Sequence, residues 1–248
     1  MRTPRGFADP RGSFFSPSLS VLAINSPVKQ TIVTLDLEGV LVPEIWIAVA
    51  EKTGIDALRR TTRDEPDYDV LMRYRLDLLA ANNLKLSDIQ SVIDTLEPLE
   101  GAKAFVDELR ARTQLVILSD TFLQFATPLM RQLDWPTLFC HHLEVRDDVI
   151  VNYHLRQPDQ KRKSVAAFQS LNYRVIAAGD AYNDTSMLAQ ADKGILFRAP
   201  KNVIEEFPQF PAVTEYEELK AQVNWSRDRS RTSIRPCTVK TPRSRSSA

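Results

Sequence analysis

The chain has 248 residues, 43% of them apolar, with 32 basic and 32 acidic residues, enough to bury one core plus an inserted subdomain and well outside the disordered range. The charge is uneven: residues 31–224 hold 30 acidic against 21 basic residues, which argues against a nucleic-acid groove and asks for a local cation if phosphates are handled. No apolar run approaches the ~20 residues that span a bilayer, and Cys140 and Cys237, the two cysteines, support no disulfide framework, so a cytoplasmic, reducing compartment is expected.

Residues 1–30 are rich in Arg, Ser and Pro and lack a compact apolar signal region; they read as a disordered extension or an over-called start. From residue 31 strand-like and helix-like segments alternate, the pattern of a parallel α/β sheet with helices on both faces. Strands are expected at 31–35, 115–118, 137–140, 174–178 and 194–197, and helices at 101–112, 122–132, 161–171, 185–190 and 202–207. Residues 43–98 interrupt the alternation with helical apolar spacing, and Ser87 opens a Ser-Asp-Ile-Gln capping box. This insertion reads as a helical cap domain that sits as a lid over the carboxyl ends of the strands, with the core domain formed by residues 31–42 and 99–224. Residues 143–155 read as a plain surface β-hairpin. The end, residues 225–248, is a basic Arg/Ser/Thr-rich tail with nothing to bury.

The residues that bear chemistry stand at successive strand ends. Asp36 and Glu38 follow the first strand on the same side of an extended chain; an ionised Asp36 can attack phosphorus, and Glu38 can carry the proton. Gly39 lets the backbone turn away toward the insertion. Ser119 ends the second strong strand, followed by Asp120 and Thr121, whose N–H groups at an expected helix entry suit phosphate oxygens. Lys161-Arg162-Lys163 places cations in a helical first turn, where the dipole disfavours them, so one of these bases serves another partner. Gly179-Asp180-Ala181-Tyr182-Asn183-Asp184 follows a third strand, and Asp180 with Asp36 offers hard oxygen ligands to Mg2+. Asp184 would reach the metal through water or orient the loop, and Asn183 would reach a substrate. Brought to one face of a parallel sheet, these groups form a phosphoryl-transfer site.

In this order the motifs resemble the haloacid dehalogenase (HAD) superfamily of aspartate-nucleophile phosphotransferases. Glu38 stands where most phosphatases of the superfamily carry Asp. With Leu35-Asp36-Leu37-Glu38-Gly39-Val40, Thr61-Thr62-Arg63-Asp64, Pro66-Asp67-Tyr68-Asp69 and Phe207-Pro208-Gln209-Phe210-Pro211, it makes residues 31–220 similar to the ThrH-type subgroup of phosphoserine phosphatases and phosphoserine:homoserine phosphotransferases. The resemblance implies a Rossmann-like core and a Mg2+ cofactor, with Asp36 as nucleophile and metal ligand and Glu38 as acid/base near the metal. It implies Lys161 as the phosphate-pairing base, Ser119 and Asp120 at the phosphate, and Asp180 as metal ligand, supported by Gly179 and Asp184. Glu44, Arg75 and Asn183 would hold the amino acid, Glu44 suiting an ammonium and Arg75 a carboxylate. Ala181 stands where the resemblance leads one to expect Ser. The implied partners are a small phosphorylated amino acid, homoserine as acceptor, and a second copy in a homodimer, with no nucleic acid or membrane. The competing readings are a non-catalytic metal- or phosphate-binding module and a phosphatase for another small phosphorylated metabolite.

Overall fold

A computed structural model describes residues 29–62, 64–65 and 67–223. The expectations for the two termini, and for Arg63, Pro66 and Cys237, lie outside the described residues. The core is a sheet of seven strands in the order β4-β3-β2-β1-β5-β6-β7: β1 (Thr31–Leu35), β2 (Gln114–Phe122), β3 (Thr137–Arg146), β4 (Val149–His154), β5 (Arg174–Gly179), β6 (Lys193–Phe197) and β7 (Ala212–Val213). All neighbours run parallel except β3 and β4, which form the hairpin. Its turn residues Asp147 and Asp148 have φ of 49° and 66°, the left-handed pair that a tight hairpin turn requires and that Asp tolerates better than most residues.

The central strands alternate between two apolar layers, as a period of two demands when both faces are covered. Val33, Leu35, Ile117, Ile176 and Phe197 face one layer. Ile32, Val116, Leu118, Val175 and Leu196 face the other. The first layer is covered by α4 (Ala102–Arg112), α5 (Leu123–Gln132) and α9 (Tyr216–Val223), the second by α6 (Gln160–Ser170), α7 (Thr185–Gln190) and α8 (Lys201–Glu206). The sequence does not announce β7 or α9. Both are short, and α9 is fixed by one aromatic: Tyr216 stacks between Phe105 and Phe197 at centroid distances of 4.7 and 4.9 Å, and its hydroxyl donates to the Val40 carbonyl at 2.6 Å.

The insertion is helical, as its spacing predicts: α1 (Ile45–Thr53), a 3-10 turn (Asp56–Arg59), α2 (Tyr68–Ala81) and α3 (Leu86–Ile93). Gly54 closes α1 in the left-handed conformation with its N–H on the Ala50 carbonyl, and the Asp67 carboxylate caps α2 by accepting from the N–H groups of Asp69 and Val70. The cap of α3 differs from the expectation. Asp88 accepts from the Lys85 N–H at 2.9 Å, so the helix starts two residues earlier, with Lys85 as its cap, and Ser87 is bonded instead to Asp148 at the hairpin tip. The hairpin is therefore no plain surface feature. Asp148 also accepts from the Leu86 N–H at 2.9 Å, and Tyr153 of β4 donates to Asp69 of α2, so the hairpin grips the cap at two helices.

Candidate active site

Strand register sets the level of the site. Leu35 lies opposite Ile117 on one side and Ala178 on the other, so Asp36, Ser119 and Asp180 emerge together at the carboxyl edge. The Asp36 N–H donates to the Ala178 carbonyl at 3.0 Å, extending the β1–β5 ladder to the last residue before the turn. Gly39 then turns the chain at φ 75°, and a Cβ there would fall 2.5 Å from an Asp180 carboxylate oxygen. Glycine at this position thus serves conformation and close approach at once. Gly179 is small for a like reason: its Cβ would meet the Asp184 carboxyl carbon at 2.4 Å.

The Ser119-Asp120-Thr121 segment is built differently from the expectation. It does not open a helix. Leu118 pairs with Phe139 and the ladder resumes at Phe122 opposite His141, so three residues of β2 face one of β3. This bulge re-aims the strand into the site, and α5 begins only after it, so the N–H groups there carry no helix dipole. The Ser119 hydroxyl oxygen accepts from the Thr121 N–H at 3.2 Å.

Lys161, in the first turn of α6, is the hub. It is 3% exposed and its Nζ lies 2.9 Å from Asp36 Oδ1, 2.7 Å from Asp184 Oδ1 and 3.4 Å from Asp120 Oδ2. Burial alone would discharge the ammonium, but Asp120, Asp184 and Asp36 hold its pKa well above the ordinary lysine value. Arg162 pairs instead with Asp159 at the surface. Asp184 is fully buried, and its second oxygen accepts from the N–H groups of Asp180 and Ala181 at 3.0 and 3.2 Å. It therefore shapes the loop and orients Lys161.

Asp36, Asp180 and Asp184 offer carboxylate oxygens all within 4.8 Å of one another. Three buried carboxylates and one ammonium leave local negative charge uncompensated, and burial together with Asp184 raises the Asp36 pKa well above the ordinary value, against the opposing pull of Lys161. Hard oxygen donors at this spacing fit a divalent cation. Glu38 lies outside the carboxylate group expected to hold it. Its Oε2 accepts from the Ile45 N–H at 3.0 Å, at the start of cap helix α1. Burial and the neighbouring Glu44 push its pKa up to about 7, despite that bond, one from Thr121 and the charge of Arg75.

Residues of the insertion line one side of a cavity of about 280 Å³, whose wall includes Asp36, Glu38, Glu44, Arg75, Ser119, Asp120, Lys161, Asp180 and Asn183. Arg75 lies 4.6 Å over the Trp46 ring and donates to the Arg60 carbonyl at 2.7 Å. Burial lowers its pKa to about 10, which leaves it charged at neutral pH, and its Nε is buried without a partner among the described residues. Asn183 donates to Asp120 Oδ2 at 3.0 Å, so it reaches the cavity as part of a polar wall. Three residues around Asp120 escape the sequence pattern. His141 lies with Nε2 3.6 Å from Asp120 Oδ1, Tyr68 donates to the Asp120 carbonyl at 2.7 Å, and Gln160 donates to Asp120 Oδ1 at 3.3 Å. Although burial would raise it, Lys161, His141 and Asn183 hold Asp120 below the usual carboxylate range.

Residues 30–192 match the model of a haloacid dehalogenase-like hydrolase. The chain belongs to that family. Among curated proteins, this HAD-like hydrolase is 69% identical over 192 residues to phosphoserine phosphatase ThrH of Pseudomonas aeruginosa, an alignment covering 77% of this chain and 94% of the relative. It is 67% identical over 192 residues to a phosphoserine phosphatase of Pseudomonas syringae pv. tomato, covering 77% and 81%. Among solved structures, a substrate-bound phosphoserine phosphatase complex aligns with a TM-score of 0.66 at 20% identity over 78% of this chain and 99% of that one, which supports the HAD fold.

Proposed function

We propose that the chain is a phosphoserine phosphatase that works through an aspartyl-phosphate on Asp36, and that it also passes the phosphoryl group to homoserine. The observation that carries the chemistry is the convergence of Asp36, Asp184 and Asp120 on the buried Lys161 ammonium. The substrate reading is supported by the 69% identity to the ThrH relative across 94% of its length.

Asp36 attacks phosphorus in line with the seryl oxygen, and the P–O bond to serine breaks as the Asp36–P bond forms. Lys161 neutralises the equatorial oxygens, with Ser119 at the phosphate. Glu38, with a carboxyl near pKa 7 held by the Ile45 N–H, gives its proton to the departing alkoxide and then takes one from the incoming hydroxyl. Glu44 meets the ammonium of the amino acid and Arg75 its carboxylate. Asp36 and Asp180 would hold Mg2+, backed by Asp184; the ion would supply charge neutralisation at the phosphoryl oxygens.

Purified enzyme should release phosphate from O-phosphoserine, and Asp36→Asn should lower the rate by at least about 10³-fold, the scale on which nucleophile removal acts. Wild-type turnover by Asp36→Asn would sink the mechanism. With homoserine present, phosphohomoserine should form at the expense of free phosphate. Its absence leaves a hydrolase alone.

A further inference from the structure

Acids outnumber bases in the wall of the cavity that must admit an anion. Asp36, Glu38, Glu44, Asp120 and Asp180 line it, and its two other cations are already partly engaged: Lys161 with three carboxylates, Arg75 with the Trp46 face and the Arg60 carbonyl. A phosphate monoester approaching such a mouth meets net repulsion.

Arg198, at the end of β6, lines the same cavity. Its backbone is held in the left-handed region, φ 52°, with its N–H on the Val213 carbonyl at 2.9 Å. Its Nε donates to the Thr214 carbonyl at 2.8 Å, and the guanidinium carbon lies 4.8 Å over Phe197 and 5.0 Å over Tyr216. These contacts fix the group by one edge and one face. No hydrogen bond or ion pair to a described residue engages Nη1 or Nη2. A pinned guanidinium with its outer edge unspent is the form that recognises a phosphate or carboxylate by two parallel hydrogen bonds.

The geometry points to Arg198 as the residue that captures the anionic substrate at the cavity rim, raising the rate of productive encounter without taking part in phosphoryl transfer. This rests on the phosphoserine reading for its substrate and on the cavity alone for its anion. Removing a rim charge acts on association and its salt dependence rather than on the chemical step.

The test compares wild type, Arg198→Gln and Arg198→Lys at saturating Mg2+. Arg198→Gln should lose about five- to tenfold in kcat/KM at low ionic strength while kcat stays within about twofold, and its kcat/KM should fall less steeply with NaCl than that of wild type. Arg198→Lys keeps the charge and should recover most of the loss. Equal losses in kcat and kcat/KM, or an unchanged kcat/KM in Arg198→Gln, overturn the proposal, and so does a wild-type kcat/KM indifferent to salt. A second arm needs no turnover: calorimetric titration with inorganic phosphate should show weaker binding to Arg198→Gln than to wild type, and equal binding overturns the role. Should wild type fail to hydrolyse O-phosphoserine, the substrate reading falls while the phosphate titration still decides the role of Arg198.

Discussion

Glu38 carries a cost that goes with the acid/base role proposed for it. Its carboxyl is pushed up to about 7 by burial and by Glu44, against about 4.5 in an unfolded chain, so the folded state holds the proton more tightly. A carboxyl raised in this way contributes stability that is full below pH 4.5 and is lost as pH rises through 7. Above that window the ionised Glu38 works against the fold. In EDTA at pH 8, Glu38→Gln should therefore melt above wild type, by roughly 1 kcal/mol once solvent screening is allowed for, and the gap should close near pH 4.5. Scanning calorimetry at the two pH values checks it: a Gln variant that melts lower at pH 8 contradicts the origin of the shift. Its turnover should fall by about 10²-fold or more, since it cannot carry a proton. Asp36 and Glu38 were legible in the sequence because they follow a run whose period fixes its place in the sheet, and Lys161 because a cation in a helical first turn is out of place there, although the residues alone did not separate it from Arg162 and Lys163. His141 and Arg198 were not. His141 reaches Asp120 only because the β2 bulge shifts the register, and Arg198 turns into the cavity through a φ of 52° that no local pattern announces.

At the scale of elements, the positions of the core strands and the helical insertion follow from apolar periodicity, whereas the way the cap is fastened does not. Periodicity says which face is buried, and it is silent about which polar group across the interface answers an orphaned one. Pro128 lies inside α5 and cannot donate to the carbonyl four residues back. That carbonyl is Gln124, and it accepts from the Gln90 side chain of cap helix α3 at 3.0 Å. The Gln124 side chain in turn bonds both the N–H and the carbonyl of Leu143 on β3, at 3.1 and 2.8 Å. Together with Asp148 at Ser87 and the edge-on contact of Trp46 with Phe125 at 5.5 Å, this binds the cap to the core along a line that a lid hinging freely would have to break. Gln90→Ala leaves the Gln124 carbonyl without its donor and should cost about 1–2 kcal/mol in chemical denaturation, with hydrogen exchange faster in α3. Unchanged stability and exchange would mean that the bond does not hold the cap.

The whole molecule is organised so that one small site depends on the three central strands of the sheet and on α6. Asp36 comes from the turn after β1, Ser119 and Asp120 from the β2 bulge, Lys161 from α6, and Asp180 with Asp184 from the loop after β5, all drawn to the central crossing where β1 lies between β2 and β5. Three of these carboxylates lie with oxygens within 4.8 Å, so the site is a concentration of like charge that the fold must hold together. A divalent cation that binds this arrangement in the folded state and not the separated acids of the unfolded chain must stabilise the whole fold by mass action. At about a hundred times its dissociation constant the gain is roughly 2.7 kcal/mol, which for a chain of this size is on the order of 5–10 °C in Tm. Melting in EDTA and then in increasing MgCl2 should show that rise in wild type. Asp180→Asn should melt higher than wild type in EDTA, because one repelling charge is gone, and should respond little to MgCl2. CaCl2 in place of MgCl2 separates a cation effect from catalytic fitness, since either ion can satisfy the oxygen donors while turnover follows the one whose coordination suits the reaction. A wild-type melting point that ignores both ions, or an Asp180→Asn variant that responds as strongly as wild type, would place the cation elsewhere.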